Sequence, residues 1–416
     1  MGKTMESFSL HHLKTSTDHE MRRTRDIIDA LDAPISDECT QCRNLLKSAQ
    51  KEAFYAIMEH VNSSKPGALF VDRPGGTGKT FLYNALYAEV RLVGQIVLST
   101  ATSGIDASNI PSGITTHSRF RIPLVTDISL ACDVPRQSSL AALIRAGNLL
   151  IWDEASMAKR QNVIFTSQGS CDPNQLFEGK VVVFGGDFRQ TMPVLPCKSQ
   201  KEVVEGSMVS SHIWPKLIKF RLSENIRAKC DPEFAKILLA LRNGELQSKE
   251  SEFVALPKGI VRASSGDDKD PIGDLCSVIF TELAHHTFDP VIFTTRALLT
   301  PLNDNVDAIN NVLIEKFPGK DVIYKSQDSM LDDNCAIYLA KFINKLNPGW
   351  MIPDELILKE NCPVILLRDL QPSFGLCNGT RLICKRTALT ATSVTARYRN
   401  NGSPGFGFDS SGGLLR

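Results

Sequence analysis

This sequence predicts a doubly wound α/β fold built on a parallel sheet, with a phosphate-binding loop at its first strand. Three observations predict it: apolar runs of buried-strand type recur along the chain, helical or loop segments separate them, and a glycine-rich turn joins the first run to a helix. Residues 1–44 are polar and charged, with HH, RR and a DAPISDE turn cluster, and are read as a poorly ordered extension. From Leu45, LLKSAQKEAFYAIMEHV carries apolar residues at helical spacing. ALFVD is a short strand ending at PGGTGKT, and FLYNALYAEV resumes the helical period. Further strands are expected at QIVLSTA, NLLIWDE, KVVVFGGD and PVIFTT. PVILL before a Gly-Leu-Cys-Asn-Gly turn supports a small β unit. NNGSPGFGFDSSGG is the low-complexity piece, and no internal repeat of fixed period is visible.

Composition bounds the classes. At roughly 150 residues per domain, 416 residues predict two or three domains. The 47 basic and 46 acidic residues leave a net charge of +1, so a nucleic-acid contact must be local, inside a cleft. Of the eleven cysteines, Cys39 and Cys42 form a CxxC pair without a second pair or His spacing, which speaks against zinc and for reduced thiols of an intracellular protein. No apolar run of about 18 residues suggests a membrane span.

Pro74, Gly75, Gly76, Thr77, Gly78, Lys79 and Thr80 lie between strand and helix, where successive backbone N–H groups and the helix N-terminus face an anion. Lys79 would reach the terminal phosphates of a nucleotide, and the Thr80 hydroxyl would ligate Mg2+. Asp153 and Glu154 close the strand of NLLIWDE. They are either a solvated turn or a metal-holding aspartate beside a glutamate that orients the attacking water. Gln190, after GGDFR, is either an exposed turn residue or a hydrogen-bond partner of the γ-phosphate, and Arg227 in LSENIR is either a surface arginine or a transition-state cation.

The stretches PGGTGKTFLYNAL, ATSGIDASNI with TTHSRFRIPL, LLIWDEASM, GKVVVFGGDFRQTMPV, LSENIR, RALLTPLNDNVDAIN and LKENCPVILLRDLQPSFGLCNGTRLI, in that order, resemble the petite integration frequency helicases. These are RecD-like members of helicase superfamily 1, and the resemblance is closest to their expanded plant branch. It covers roughly residues 45 to 385. It implies two RecA-like domains with ATP at their junction and single-stranded DNA across their tops. It further implies an ATP-dependent DNA helicase acting on single strands and junctions in repair, recombination or telomere maintenance, in the nucleus or a mitochondrion. Gln50 matches the residue that reads adenine, and Lys79, Thr80, Asp153, Glu154, Gln190 and Arg227 match the phosphate, metal, hydrolysis and sensing positions.

Thr102, Thr116, His117, Ser118 and Phe120 fall in the DNA-facing part, where backbone N–H groups, hydroxyls and an aromatic suit phosphate contact and stacking; core packing is the other reading of Phe120. Asn303 matches the start of the second domain, and the resemblance counts it with the DNA-binding residues. The expected division is an ATP-binding domain over 45–228, an incomplete second RecA-like domain beginning in 229–338, a small β-rich subdomain over 339–386 and a disordered tail over 387–416.

The sequence departs from the family in four places. Arg73 stands at a glycine position, Asp106 puts a negative charge near expected DNA phosphates, and the stretch from Ala158 to Gly179 is short. After Arg386 neither the Gln-Gly motif nor the final arginine motif follows. The competing expectations are therefore a helicase of reduced activity, a nucleotide- or DNA-binding relative without unwinding, and a gene fragment.

Overall fold

A computed structural model describes residues 25–410 apart from 73–74, 123–133, 168–175, 196, 223, 227–228, 230, 247, 251–252, 262–270, 282, 284–291, 301, 326–354, 368–379, 388–391 and 397–406. Two compact units divide the chain, the first holding residues 1–254 and the second most of residues 255–416.

The first unit is a six-stranded sheet made of β1 (Gly67–Asp72), β2 (Val97–Ala101), β3 (Ile114–Thr115), β4 (Leu149–Asp153), β5 (Val181–Gly186) and β6 (Ile218–Arg221). Their order is β3-β2-β4-β5-β1-β6, and each neighbouring pair runs parallel. Continuous apolar runs suit such strands, because helices and loops cover both faces of the sheet. Every residue of β2, β4 and β5 is buried. Leu69, Val71, Leu149, Ile151, Val181 and Val183 pack on one face with the helices Ser48–Asn62 and Lys79–Leu92. Phe70, Leu150, Trp152, Val182 and Phe184 pack on the other with Phe177, Met208 and Ile213. The hydroxyl of buried Thr100 donates to the Ile151 carbonyl at 2.8 Å, so its polar atom does not stay unpaired inside the sheet. A short antiparallel pair, β7 (Ser248–Glu250) and β8 (Phe253–Val254), ends this unit.

Order begins earlier than the sequence suggested. Ser36 caps a helix over Asp37–Leu45 by accepting the Cys39 N–H, and Asp37 and Glu38 fill its first turn. This helix packs on Lys79–Leu92, buries Cys39 and Cys42 and pairs Arg43 with Glu89 at 2.6 Å. The CxxC spacing thus turns both sulfurs to one helix face against apolar neighbours, and burial raises both thiol pKa values, that of Cys42 to about 11.

The second unit joins helices Pro271–Ile279 and Asn303–Lys316 to antiparallel strands. β9 (Val322–Lys325) pairs with β10 (Glu355–Leu358), and β11 (Pro363–Ile365), β12 (Arg381–Thr387), β13 (Thr392–Ala396) and β14 (Gly407–Ser410) form a meander. Two expectations are corrected here. Residues 392–396 and 407–410, read as part of a disordered tail, are strands whose ladder partners lie across the meander. Ile292–Thr295, read as a strand in PVIFTT, is a short helix instead. Its Phe293 ring lies tilted 5.1 Å from Phe280 and stacks 6.1 Å from Phe317, and this docking overrides the β-branched preference of so short a run. Among the described residues no helix is long and apolar enough to cross a membrane.

Candidate functional site

The site is built at the carboxyl ends of β1, β4 and β5, the edge of a parallel sheet where ligands bind. Gly78 starts the loop-to-helix turn in the left-handed region (φ 78°), and Lys79 opens the helix. A Cβ on Gly78 would lie 2.6 Å from Gln50 Nε2, so glycine is required for space as well as for backbone angle.

Lys79 is 1% exposed, with its Nζ 2.7 Å from Glu154 Oε1 and in contact with Asp153 Oδ1. Asp153 and Glu154 are themselves 4% and 5% exposed. They are therefore not the solvated turn that their positions in the sequence also allowed. The phosphate-loop lysine and the acidic pair occupy one place, as a single shared triphosphate and metal would require. Glu154 takes a left-handed conformation (φ 49°, ψ 40°), a strain of about 1–3 kcal/mol, and its N–H donates back to Asp153 Oδ1 at 2.8 Å. Tyr83, fully buried one turn along the helix, donates to Asp153 Oδ1 at 3.5 Å.

Asp187, which the sequence reading left without a role, ties the rest of the loop down. It is fully buried; its Oδ2 accepts the Gly75 N–H at 3.1 Å and Gln190 Nε2 at 3.0 Å, and its Oδ1 accepts the Arg189 N–H at 3.1 Å. Gln190 is thereby held beside the loop, its Nε2 3.3 Å from where a Gly75 Cβ would stand. Arg242, at the end of the Pro232–Arg242 helix, lies 3.6 Å from Asp187 Oδ2 and was invisible in the motif reading. Gly76 (φ 89°) offers its carbonyl to the Ile226 N–H at 2.9 Å. Thr80 lies half-buried in the first helical turn.

Gln50 is 2% exposed and joins helix to loop: Nε2 donates to the Thr77 and Gly78 carbonyls at 3.1 and 3.2 Å, while Oε1 accepts the Lys47 N–H at 2.8 Å. A cavity of about 190 Å³ opens beside it, lined by residues that include Lys47, Ala49, Thr77, Leu222 and Ile226. Ala49, Leu222 and Ile226 beside the Gln50 amide suit a flat heteroaromatic base, and Lys47, Ser48 and Glu224 complete a polar lining. The hydroxyl of Thr77, 1% exposed, has no hydrogen-bond partner among the described residues, an orphaned donor within a loop shaped for an anion. The residues therefore fit a nucleoside triphosphate, and Thr80 and Asp153 are of the oxygen-donor chemistry that would hold Mg2+. Pro74 and Arg227, together with Arg73, lie outside the described residues.

The expected DNA-facing residues separate. Thr102 stays beside the acidic pair: its hydroxyl donates to the Glu154 carbonyl at 2.7 Å and accepts from Trp152 Nε1 at 3.1 Å. His117 is half-buried, and Ser118 is exposed. Burial, then the Lys159 charge, lowers the His117 pKa. Thr116 is 1% exposed with its hydroxyl on the Ala101 carbonyl at 3.4 Å, and Phe120 is 7% exposed with its ring 6.3 Å from Trp152. Both pack inward and are corrected to core positions, because the short Thr116–Phe120 helix turns that face toward the sheet. Asn303 opens the Asn303–Lys316 helix of the second unit.

The family model of PIF1-like helicases matches residues 45–252, and that of the 2B domain of the DNA helicase Pif1 matches residues 341–386. Similar proteins include the ATP-dependent DNA helicase Pif1 of Campylobacter jejuni, 30% identical over 197 residues, which cover 44% of this chain and 42% of that protein. The ATP-dependent DNA helicase PIF1 of Xenopus laevis is 24% identical over 326 residues, 75% of this chain and 43% of that one. The matched region is thus under half the length of either relative. Among solved structures, Pif1 helicase from Candida albicans superposes with a TM-score of 0.55 at 21% identity over 88% of this chain and 78% of its own. Pif1 helicase from Bacteroides in complex with ADP-AlF3 and ssDNA gives 0.57 at 18% over 86% and 74%. At these identities the structures speak for the fold.

Proposed function

The chain belongs to the PIF1-like helicase family, and on that premise we propose that it is an ATP-dependent DNA helicase motor, hydrolysing ATP in step with movement along single-stranded DNA. The observation that carries the proposal is the meeting of Lys79 with Asp153 and Glu154 at the sheet edge, because a site for a phosphate and its metal needs a cation for the one and a carboxylate for the other at one point. Relatives named as ATP-dependent DNA helicases and a neighbour holding ADP-AlF3 and ssDNA support the same reading.

In this scheme Lys79 exchanges its carboxylate partners for the terminal phosphates. Thr80 and Asp153 would hold Mg2+, which when bound would supply charge neutralisation for the phosphates. Glu154, held in its strained turn, takes the position of a base or orienting group for the attacking water. Gln190 reports the γ-phosphate from its post on Asp187, and Gln50 reads the base. Thr102, hydrogen-bonded to the Glu154 carbonyl, links this chemistry to the segment assigned to DNA. The partners are single-stranded DNA and its junctions.

The test is ATP hydrolysis with and without single-stranded DNA. Stimulated turnover in the wild type, lost in Glu154→Gln while nucleotide still binds, is the expected result. A folded protein whose turnover ignores DNA overturns the proposal.

A further inference from the structure

Arg242 lies outside every motif that carried the site, yet its guanidinium reaches the phosphate loop. A Cβ on Gly75 would meet Arg242 Nη1 and Nη2, both at 3.1 Å, with Gln190 Nε2 at 3.3 Å. The backbone of Gly75, the guanidinium and the amide of the sensing glutamine therefore converge on one point. Asp187 is what holds them: fully buried, it takes the Gly75 N–H and Gln190 Nε2 on Oδ2 and faces Arg242 Nη1 at 3.6 Å. Arg189 approaches its other oxygen at 3.5 Å.

Two guanidinia thus face one carboxylate, and Asp72, 3.9 Å from Arg189, offsets only the Arg189 side. The Arg242–Asp187 separation is long for a charge-assisted hydrogen bond, so Asp187 steers the guanidinium without saturating its five donors. Arg242 is 30% exposed and keeps donors free for an anion arriving over the loop. At this position lysine is not equivalent, because a fork can bridge carboxylate and phosphate together whereas an ammonium is a single point charge.

We propose that Arg242 is a phosphate-contacting residue that binds the terminal phosphate of the triphosphate beside Gln190, and so makes this domain distinguish ATP from ADP. The proposal deepens the motor reading and rests on it.

The experiment measures the affinity of the full chain for ADP and for a non-hydrolysable ATP analogue, both with Mg2+, in wild type, Arg242→Ala, Arg242→Lys and Lys79→Ala. Urea unfolding of each variant accompanies it. Arg242→Ala is expected to bind the ATP analogue roughly tenfold more weakly and ADP unchanged, with its unfolding midpoint kept and partial recovery in Arg242→Lys. If Lys79→Ala loses both nucleotides while Arg242→Ala keeps the wild-type ratio of the two affinities, the Arg242 inference is wrong and the site reading stands. If Lys79→Ala binds both as the wild type does, the site reading is wrong and the inference falls with it.

Discussion

Gly185 sits in β5 directly under the phosphate-loop helix, and adding a single methyl there tests the architecture of the site. A Cβ at that position would stand 1.8 Å from Tyr83 Oη, 2.9 Å from Lys79 Cδ and 3.1 Å from Tyr83 Cζ. Ordinary contact begins near 3.4 Å, so the hydroxyl must retreat by about 1.6 Å. Tyr83 is fully buried and has nowhere to swing without dislodging its neighbours. Overpacking a well-filled core costs about 1–3 kcal/mol, and an overlap with two immobile side chains places Gly185→Ala near 3 kcal/mol. Tyr83→Phe alone should cost about 1 kcal/mol, for the lost hydroxyl contact to Asp153.

In the double variant the closest atom is gone, and the next contacts lie at 2.9 and 3.1 Å. The pair should therefore be non-additive, recovering about 1 kcal/mol relative to the sum of the singles. Equilibrium urea unfolding of all four proteins measures the cycle, with nucleotide affinity read alongside because the same methyl displaces Lys79. A Gly185→Ala protein within about 0.5 kcal/mol of wild type, or strict additivity with Tyr83→Phe, would refute the close packing of loop helix on β5.

Three further outcomes are expected. Lys79→Ala should abolish nucleotide binding and also destabilise the nucleotide-free protein by about 3–5 kcal/mol, because it strands two buried carboxylates; adding Asp153→Asn and Glu154→Gln should restore much of that stability, and an unchanged unfolding midpoint in the single variant would contradict it. Gln50→Ala should raise the KM for ATP roughly tenfold, since it frees the Thr77 and Gly78 carbonyls and opens the cavity beside them; an unaltered KM would show that Gln50 serves the helix alone. The His117 pKa is lowered by burial and then by Lys159, so the unfolded chain takes up its proton near 6.5 and the folded chain only at lower pH. The stability this provides is whole above 6.5 and is lost as pH falls through the folded value. Unfolding curves across that range should flatten in His117→Asn, and an identical pH slope in the variant would remove His117 as the cause.

Local sequence was enough for the elements whose chemistry and period reside in a few consecutive residues. The runs in β1, β2, β4 and β5 could be read directly, because a strand covered on both faces must be apolar throughout. PGGTGKT, DE and GGDFRQ announced a phosphate site because backbone angle, cation, carboxylates and sensor each belong to a particular residue type. What adjacent residues could not encode was decided by contacts between distant ones. Whether Phe120 stacks on a base or fills the core depends on Trp152, and whether Ile292–Thr295 is strand or helix depends on Phe280 and Phe317. The polar Asp37–Leu45 helix gains its place from the Lys79–Leu92 helix it packs on. Arg242 gains a role from Asp187, 55 residues earlier in the chain. Propensity and motif act over a few residues, whereas burial and charge pairing act over a few ångströms, and only the folded chain brings the second kind of neighbour together.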